Sequence, residues 1–212
     1  MALSNNPSED LIKFTKWLGR NSDKEVLTPQ SSILDLGCGN GRNLIYLAQN
    51  YGTLGVGYDI SDEAIRQAKE ISRSLKLEYK VRSIVGQIEL KDESQTLVLD
   101  MMTSHFLNRD QRQNLIKEIR RVLKPGGWLY LKTFFRDEDL HAERLLREHP
   151  AEESGSYIHP KIGLAEHVFT EEELRDMLKD NFFIHKMLRS HRHRENGHAA
   201  KRRSISVYAE RI

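Results

Sequence analysis

At 212 residues the chain has the length of one ordinary domain, enough to bury a core without disulfides or structural metal. Its 38% hydrophobic and 30% charged residues exclude both a disordered chain and a membrane-embedded one, and a single cysteine excludes an internal disulfide. The net charge of +2 conceals basic clusters at His191–Arg194 and Lys201–Arg203, which suit an anionic partner. The first twenty residues carry charges where a secretory leader needs an apolar run, and no apolar stretch approaches the ~20 residues of a membrane span. A soluble protein of the reducing cytoplasm is expected.

Ser8, followed by Glu9, Asp10 and the apolar Leu11, Ile12, Phe14, Trp17 and Leu18, predicts a capped amphipathic helix ending at Gly19. Ser32 to Leu36 is strand-like, Gly37 to Gly41 form a tight loop, and Asn43 to Asn50 return to helical spacing. A second strand covers Leu54 to Tyr58, and Ser61 caps a helix with Ala64, Ile65, Ala68 and Ile71 on one face. Third and fourth strands are expected at Tyr79 to Val85 and Thr96 to Met101, then a helix from Arg109 to Leu123. A fifth strand, Trp128 to Phe134, follows Pro125-Gly126-Gly127, and a helix covers Asp137 to Glu148. Pro150 to Ala165 reads as an irregular insertion, and Thr170 caps a helix through Leu178. Two β-rich runs flank Asn196-Gly197, a strong hairpin signal. Repeated β-α alternation with a closing antiparallel pair predicts an α/β, doubly wound, Rossmann-like sheet of seven mainly parallel strands. One domain, 1–212, is expected, with residues 1–28 as an N-terminal helical lid and 136–168 as an acceptor-side insertion.

The most informative stretch is Ile33-Leu34-Asp35-Leu36-Gly37-Cys38-Gly39-Asn40-Gly41. Alternate glycines let the backbone turn sharply and approach a ligand, and the following helix offers unpaired N–H groups. A dinucleotide fingerprint would need glycine at 42, where Arg42 stands, so the spacing argues against a nicotinamide cofactor. Asp59, at the end of the second strand, is placed to accept both hydroxyls of a ribose, which points to a nucleoside ligand.

These residues resemble the first motif of the class I S-adenosylmethionine methyltransferases, an apolar pair, an acid, an apolar residue and Gly-x-Gly-x-Gly. The resemblance runs over about residues 30 to 135, through Gly55–Ser61 and the turn Glu118 to Gly127. It implies S-adenosylmethionine as cofactor. Asp35, Gly37, Cys38, Gly39 and Gly41 would shape the methionine side, and Asp59 and Ile60 would hold ribose and adenine. Gln87, beside Ile88, stands where relatives usually carry an acid that bonds the adenine amine; an amide oxygen accepts the same bond. Asp100 either contacts the cofactor or ends its strand. Gly37–Asn43, with Tyr46-Leu47-Ala48 and a His-Arg pair before Asn196-Gly197, is locally similar to the tellurite-resistance methyltransferases, which implies a small, soft nucleophile as acceptor.

Methyl transfer from a sulfonium is an in-line displacement, for which alignment and exclusion of water supply most of the acceleration. If the acceptor must lose a proton, His105 is the candidate base, since the ordinary histidine pKa lies near neutrality; packing alone is the plainer reading. Acceptor specificity is expected from the N-terminal helix and from Arg136 to His167. Phe14 and Trp17 nevertheless read as core, and Tyr157, His159, Glu166 and His167 read as a solvated loop. The main rival to a small-molecule acceptor is RNA, drawn by the basic stretch Arg189 to Arg203. A non-catalytic cofactor-binding module and a metal site at His191, His193 and His198 complete the alternatives; no metal and no membrane partner are expected.

Overall fold

The computed structural model describes residues 4–22, 24–190, 194–195, 198–199 and 202–212. Helix α1 (Glu9–Asn21) precedes β1 (Ser32–Leu36), α2 (Arg42–Tyr51), β2 (Leu54–Asp59), α3 (Asp62–Ile71) and β3 (Leu77–Val81). Then come β4 (Gln95–Met101), a 3₁₀ turn at Ser104–Phe106, α4 (Arg109–Val122), β5 (Leu123–Phe134) and α5 (Leu140–Glu148). The chain continues through β6 (Ser156–Ile158), β7 (Ala165–His167), α6 (Glu171–Leu178), β8 (Phe182–Arg189), β9 (Arg194–Glu195), β10 (His198–Ala199) and β11 (Ser204–Arg211). Caps follow the chemistry of their residues: Ser61 accepts the Ala64 N–H, and Asn108 with Gln111 and Thr170 with Glu173 close reciprocal capping boxes.

One seven-stranded sheet runs in the order β3-β2-β1-β4-β5-β11-β8, parallel throughout except for β11, which is antiparallel to both β5 and β8. Strand order reverses between β1 and β4, so a crevice opens at their carboxyl ends, where ligands of such sheets bind. Apolar residues cover both faces. Leu34, Val98, Leu129 and Val207 meet α4 and α6 through Ile116, Ile119, Leu174 and Leu178. Ile33, Leu99 and Tyr130 meet α1 to α3 through Phe14, Leu44, Leu47 and Ile65.

Phe14 is a core residue and Trp17 packs, partly buried, against the core: Phe14 stacks on Tyr130 at 4.8 Å between centroids, and Trp17 packs on Trp128 and Tyr208. Several expected boundaries move. The third strand ends at Val81, because β2 ends at Asp59 and the last bond made there is Arg82 N–H to the Asp59 carbonyl. The fifth strand starts at Leu123, with Pro125–Gly127 bulging out between the pairs Gln95–Leu123 and Leu97–Trp128. The helix expected from Asp137 starts only at Leu140, capped by the Asp139 carboxylate. The insertion is not irregular: β6 and β7 pair as an antiparallel ribbon, Ser156 opposite His167. Asn196-Gly197 lies outside the described residues; β9 and β10 pair antiparallel on either side of it. Among the described residues, no helix is long and apolar enough to cross a membrane.

Candidate active site

The glycine loop leaves β1 at the switch point. Gly37, Gly39 and Gly41 take φ of +72°, +54° and +77°, which side chains resist. A Cβ on Gly37 would fall within the Thr103 side chain, and one on Gly41 within the Tyr79 phenol. The Gly37 and Cys38 N–H groups both donate to the Tyr58 carbonyl, at 2.7 and 2.9 Å, which fixes the loop to β2. Cys38 turns its side chain inward against Gly57, so it contributes packing and main chain rather than an accessible thiol. Helix α2 begins after Gly41 without a capping side chain, leaving its first-turn N–H groups to other partners.

Asp59 meets this loop directly: its Oδ2 accepts the Gly39 N–H at 2.8 Å and its Oδ1 the Ser61 N–H at 2.9 Å. A carboxylate held in this way keeps lone pairs for further hydroxyl donors. Ile60, 76% exposed although aliphatic, offers an apolar surface next to it. Gln87 is exposed, with its carbonyl bound by Arg82 at 3.2 Å. Ile88 is buried, its N–H donating to Glu118 at 2.7 Å and its carbonyl accepting from Arg121 at 2.7 Å. This Glu118–Arg121 brace on α4 was not foreseen, although two charges three apart on a helix are a readable signal.

Asp35 and Asp100 are buried near the ends of β1 and β4, and each leaves its Oδ2 without a hydrogen-bond partner among the described residues. Burial, reinforced by Asp59 and Asp100 and opposed by Arg42, pushes Asp35 up to about 8. Burial raises Asp100 to about 6 against the hydrogen bonds of Ser104 and Thr103. Met102 follows at φ +64°, a strained position at the strand end, and the Thr103 hydroxyl ties this turn to the Leu36 carbonyl at 2.9 Å. Buried carboxyls with free oxygens beside a glycine loop and a ribose-type acid fit a cofactor carrying a sulfonium, an ammonium and a nucleoside.

The N-terminal segment crosses the same loop. Asn40 donates to the Ser4 carbonyl and to Asn5 Oδ1, Arg42 to the Asn6 carbonyl, and the Ser8 N–H to Asn43 Oδ1. Lys132, near the end of β5, pairs with Asp10 of α1 at 2.6 Å. No sequence motif announced these contacts.

His105 sits in the 3₁₀ turn beyond β4, 3% exposed, its ring 4.8 Å from that of Phe134 and its Nδ1 unpartnered among the described residues. Burial lowers its pKa to about 4, against the pull of Glu166, so the imidazole is neutral at pH 7 and only weakly basic. The residues expected to form a solvated loop lie inside instead. Tyr157, Glu166 and His167 are buried because the β6–β7 ribbon packs over the 3₁₀ turn. His159 alone of the four is partly exposed. The Tyr157 hydroxyl donates to Glu166, and Arg202 lies 3.7 Å from the Phe134 ring centroid while donating to Tyr157 and Glu166. Arg112, also buried, binds the Leu107 carbonyl and Glu153, clipping the insertion to the turn that carries His105. His191 and His193 lie outside the described residues, as does the side chain of His198.

The pattern that defines the methyltransferase domain family matches residues 33–127. A crystal structure of a SAM-dependent methyltransferase from Methanosarcina mazei is 30% identical, covers 88% of this chain and 95% of its own, and superposes with a TM-score of 0.74. A glycine/sarcosine/dimethylglycine N-methyltransferase from Actinopolyspora halophila is 30% identical over 129 residues, 60% of this chain and 23% of the relative. A tRNA (carboxymethyluridine(34)-5-O)-methyltransferase from Arabidopsis thaliana is 27% identical over 133 residues, 63% of this chain and 31% of the relative. The chain thus spans less than a third of the length of these two relatives. With the glycine loop, the strand order and the match to the Methanosarcina structure in agreement, the chain belongs to the S-adenosylmethionine-dependent methyltransferases.

Proposed function

We propose that this protein transfers a methyl group from S-adenosylmethionine to a nucleophilic small molecule in the cytoplasm. The observation that supports the choice of acceptor is the buried cluster in which Tyr157, Glu166 and Arg202 pack around Phe134, whose ring His105 also meets. As one wall of the acceptor site, this cluster suits a compact acceptor. The cofactor supplies an electrophilic methyl on sulfur; the protein supplies position. Asp59 and Ile60 hold the ribose and adenine side, with the exposed Gln87 and the braced Ile88 along its edge. Gly37, Gly39, Gly41, Asp35 and Asp100 hold the methionine side, and Cys38 supports the loop from below. Residues 4–8 cross the loop and 136–168 wall off the acceptor, excluding water from the displacement. His105, neutral at pH 7, orients the acceptor, and an acceptor that reacts as its anion needs no strong base from the protein. The local likeness to the tellurite-resistance group favours a small, soft nucleophile.

RNA is the second reading, favoured by the basic stretch and by the Arabidopsis relative's name. Against it, three of these arginines are engaged internally: Arg189 with Glu171, Arg202 with Glu166, and Arg203 with Glu138. Calorimetry with S-adenosylmethionine and S-adenosylhomocysteine, with NAD as control, tests the cofactor. Transfer of labelled methyl to small thiols, chalcogen oxyanions or tRNA then tests the acceptor. Binding of both sulfur compounds and label on a small molecule alone support the reading; label on tRNA alone overturns its acceptor half.

A further inference from the structure

Three carboxyls stand at the carboxyl ends of adjacent strands: Asp59 on β2, Asp35 on β1 and Asp100 on β4. Of the three, Asp59 has both oxygens bound; Asp35 and Asp100 are 1% and 0% exposed, each with an oxygen that no described residue satisfies. A buried acceptor without a partner is costly, and a buried charge without a counter-charge more so. The groups facing Asp35 do not supply that counter-charge in full. Asp59 and Asp100 repel its ionised form and Arg42 of α2 opposes them. Cys38 in the loop and Tyr79 on β3 are themselves pushed up by burial and stay neutral. Facing Asp100 are the hydrogen-bonding groups of Thr103 and Ser104.

We propose that Asp35, supported by Asp100, makes cofactor binding a proton exchange: a carboxyl proton leaves as the positively charged cofactor enters and returns as the neutral product departs. This rests on the cofactor reading above. S-adenosylmethionine carries a sulfonium, an ammonium and a carboxylate, a net charge of +1; after methyl transfer the sulfur is a neutral thioether and the net charge is zero. The balance is that the carboxylic acid and the cation give a carboxylate–cation complex and a proton in solvent. Once the methyl has gone to the acceptor, the carboxylate takes a proton back and the product leaves. Asp35 thereby favours the loaded cofactor over the spent one by charge, a discrimination that the ribose and adenine contacts cannot make. A carboxyl with a pKa near 8 is about nine-tenths protonated at pH 7, so the exchange operates at neutral pH.

The test is calorimetry on the whole protein at pH 7 in phosphate and in Tris, whose different heats of ionisation reveal the protons released. S-adenosylmethionine is expected to release about one proton and S-adenosylhomocysteine clearly fewer, and affinity for the first is expected to rise up to about tenfold per pH unit from 6 to 8. In the isosteric variant Asp35→Asn, proton release on binding S-adenosylmethionine should vanish and the preference over the product should narrow. Equal proton counts for the two ligands, or none for S-adenosylmethionine, overturn the inference while leaving the cofactor reading intact. Unchanged release in Asp35→Asn overturns the assignment to Asp35. Should that variant not fold, the comparison of buffers on the unaltered protein decides alone. Failure of both ligands to bind overturns the cofactor reading and the inference together.

Discussion

The main-chain N–H of Gly39 donates to the carboxylate of Asp59 across 2.8 Å, joining the glycine loop to the end of the neighbouring strand. The loop therefore takes its shape partly from the acid proposed to hold the ribose. Asp59→Ala removes the acceptor of the Gly39 and Ser61 N–H groups together. Hydrogen bonds to a charged group contribute about 1.5–3 kcal/mol each, so affinity for S-adenosylmethionine is expected to fall at least about tenfold. Far-UV circular dichroism should remain that of the folded protein. Unaltered affinity by calorimetry would remove Asp59 from the site.

Gly37 and Gly86 separate backbone strain from steric overlap. Both have positive φ, but a Cβ on Gly86 meets nothing within 4 Å, whereas one on Gly37 collides with Thr103. Alanine at Gly86 should cost about 1 kcal/mol from conformation alone. Alanine at Gly37 should cost at least about 2–3 kcal/mol, because Thr103 holds the Leu36 carbonyl and cannot withdraw freely. Urea unfolding of the two variants side by side tests this, and equal losses would show that Thr103 yields.

The parts of this molecule that the sequence announced share one property: each is set by short-range chemistry. Alternation of β and α segments gave the sheet, the glycine spacing gave the loop, and Ser61, Thr170 and their neighbours gave helix starts. What stayed hidden is set by tertiary partners. Tyr157 and Glu166 look like loop residues until Arg202, 45 and 36 positions away, pairs with them. The neutral pKa that makes His105 attractive as a base is a property of the exposed residue, and burial against Phe134 removes it. Asp35 is legible as a motif position and Asp100 as an acid at the end of its strand; their orphaned oxygens are not.

Burial of His105 also predicts how stability depends on pH. Its pKa falls from 6.5 to about 4 on folding, so the unfolded chain binds a proton that the folded protein refuses. The folded state therefore loses stability as pH drops from about 6.5 to about 4, and keeps all of this contribution above that window. At about 1.4 kcal/mol per pKa unit the full difference is roughly 3 kcal/mol. His105→Gln removes this proton. Denaturant unfolding at pH 7 and pH 5 should show a smaller drop for the variant than for the unaltered protein, while cofactor affinity stays within about threefold. Parallel drops would mean that the imidazole is not desolvated.

Arg112 and Glu153 clip the insertion to the turn that carries His105. Arg112 on α4 is 7% exposed in its side chain and holds both Glu153 in the insertion and the Leu107 carbonyl at the end of the 3₁₀ turn. Glu153 in turn accepts the Arg109 N–H at 3.0 Å and lies 3.5 Å from His167 on β7. Arg112→Met leaves a partly buried carboxylate short of its main counter-charge, and removing one partner of a buried pair costs about 3–5 kcal/mol. Because Glu153 is 21% exposed, the lower end is expected, with part of the charge rescued by solvent. The double variant Arg112→Met, Glu153→Gln should recover much of the loss, since no bare charge remains. Hydrogen exchange gives the local signature: faster exchange confined to residues 150–169 and the turn at 104–107 in the single variant. Uniform exchange across the sheet would instead mean that the pair stabilises the whole fold, and that the insertion is held by β6–β7 packing alone.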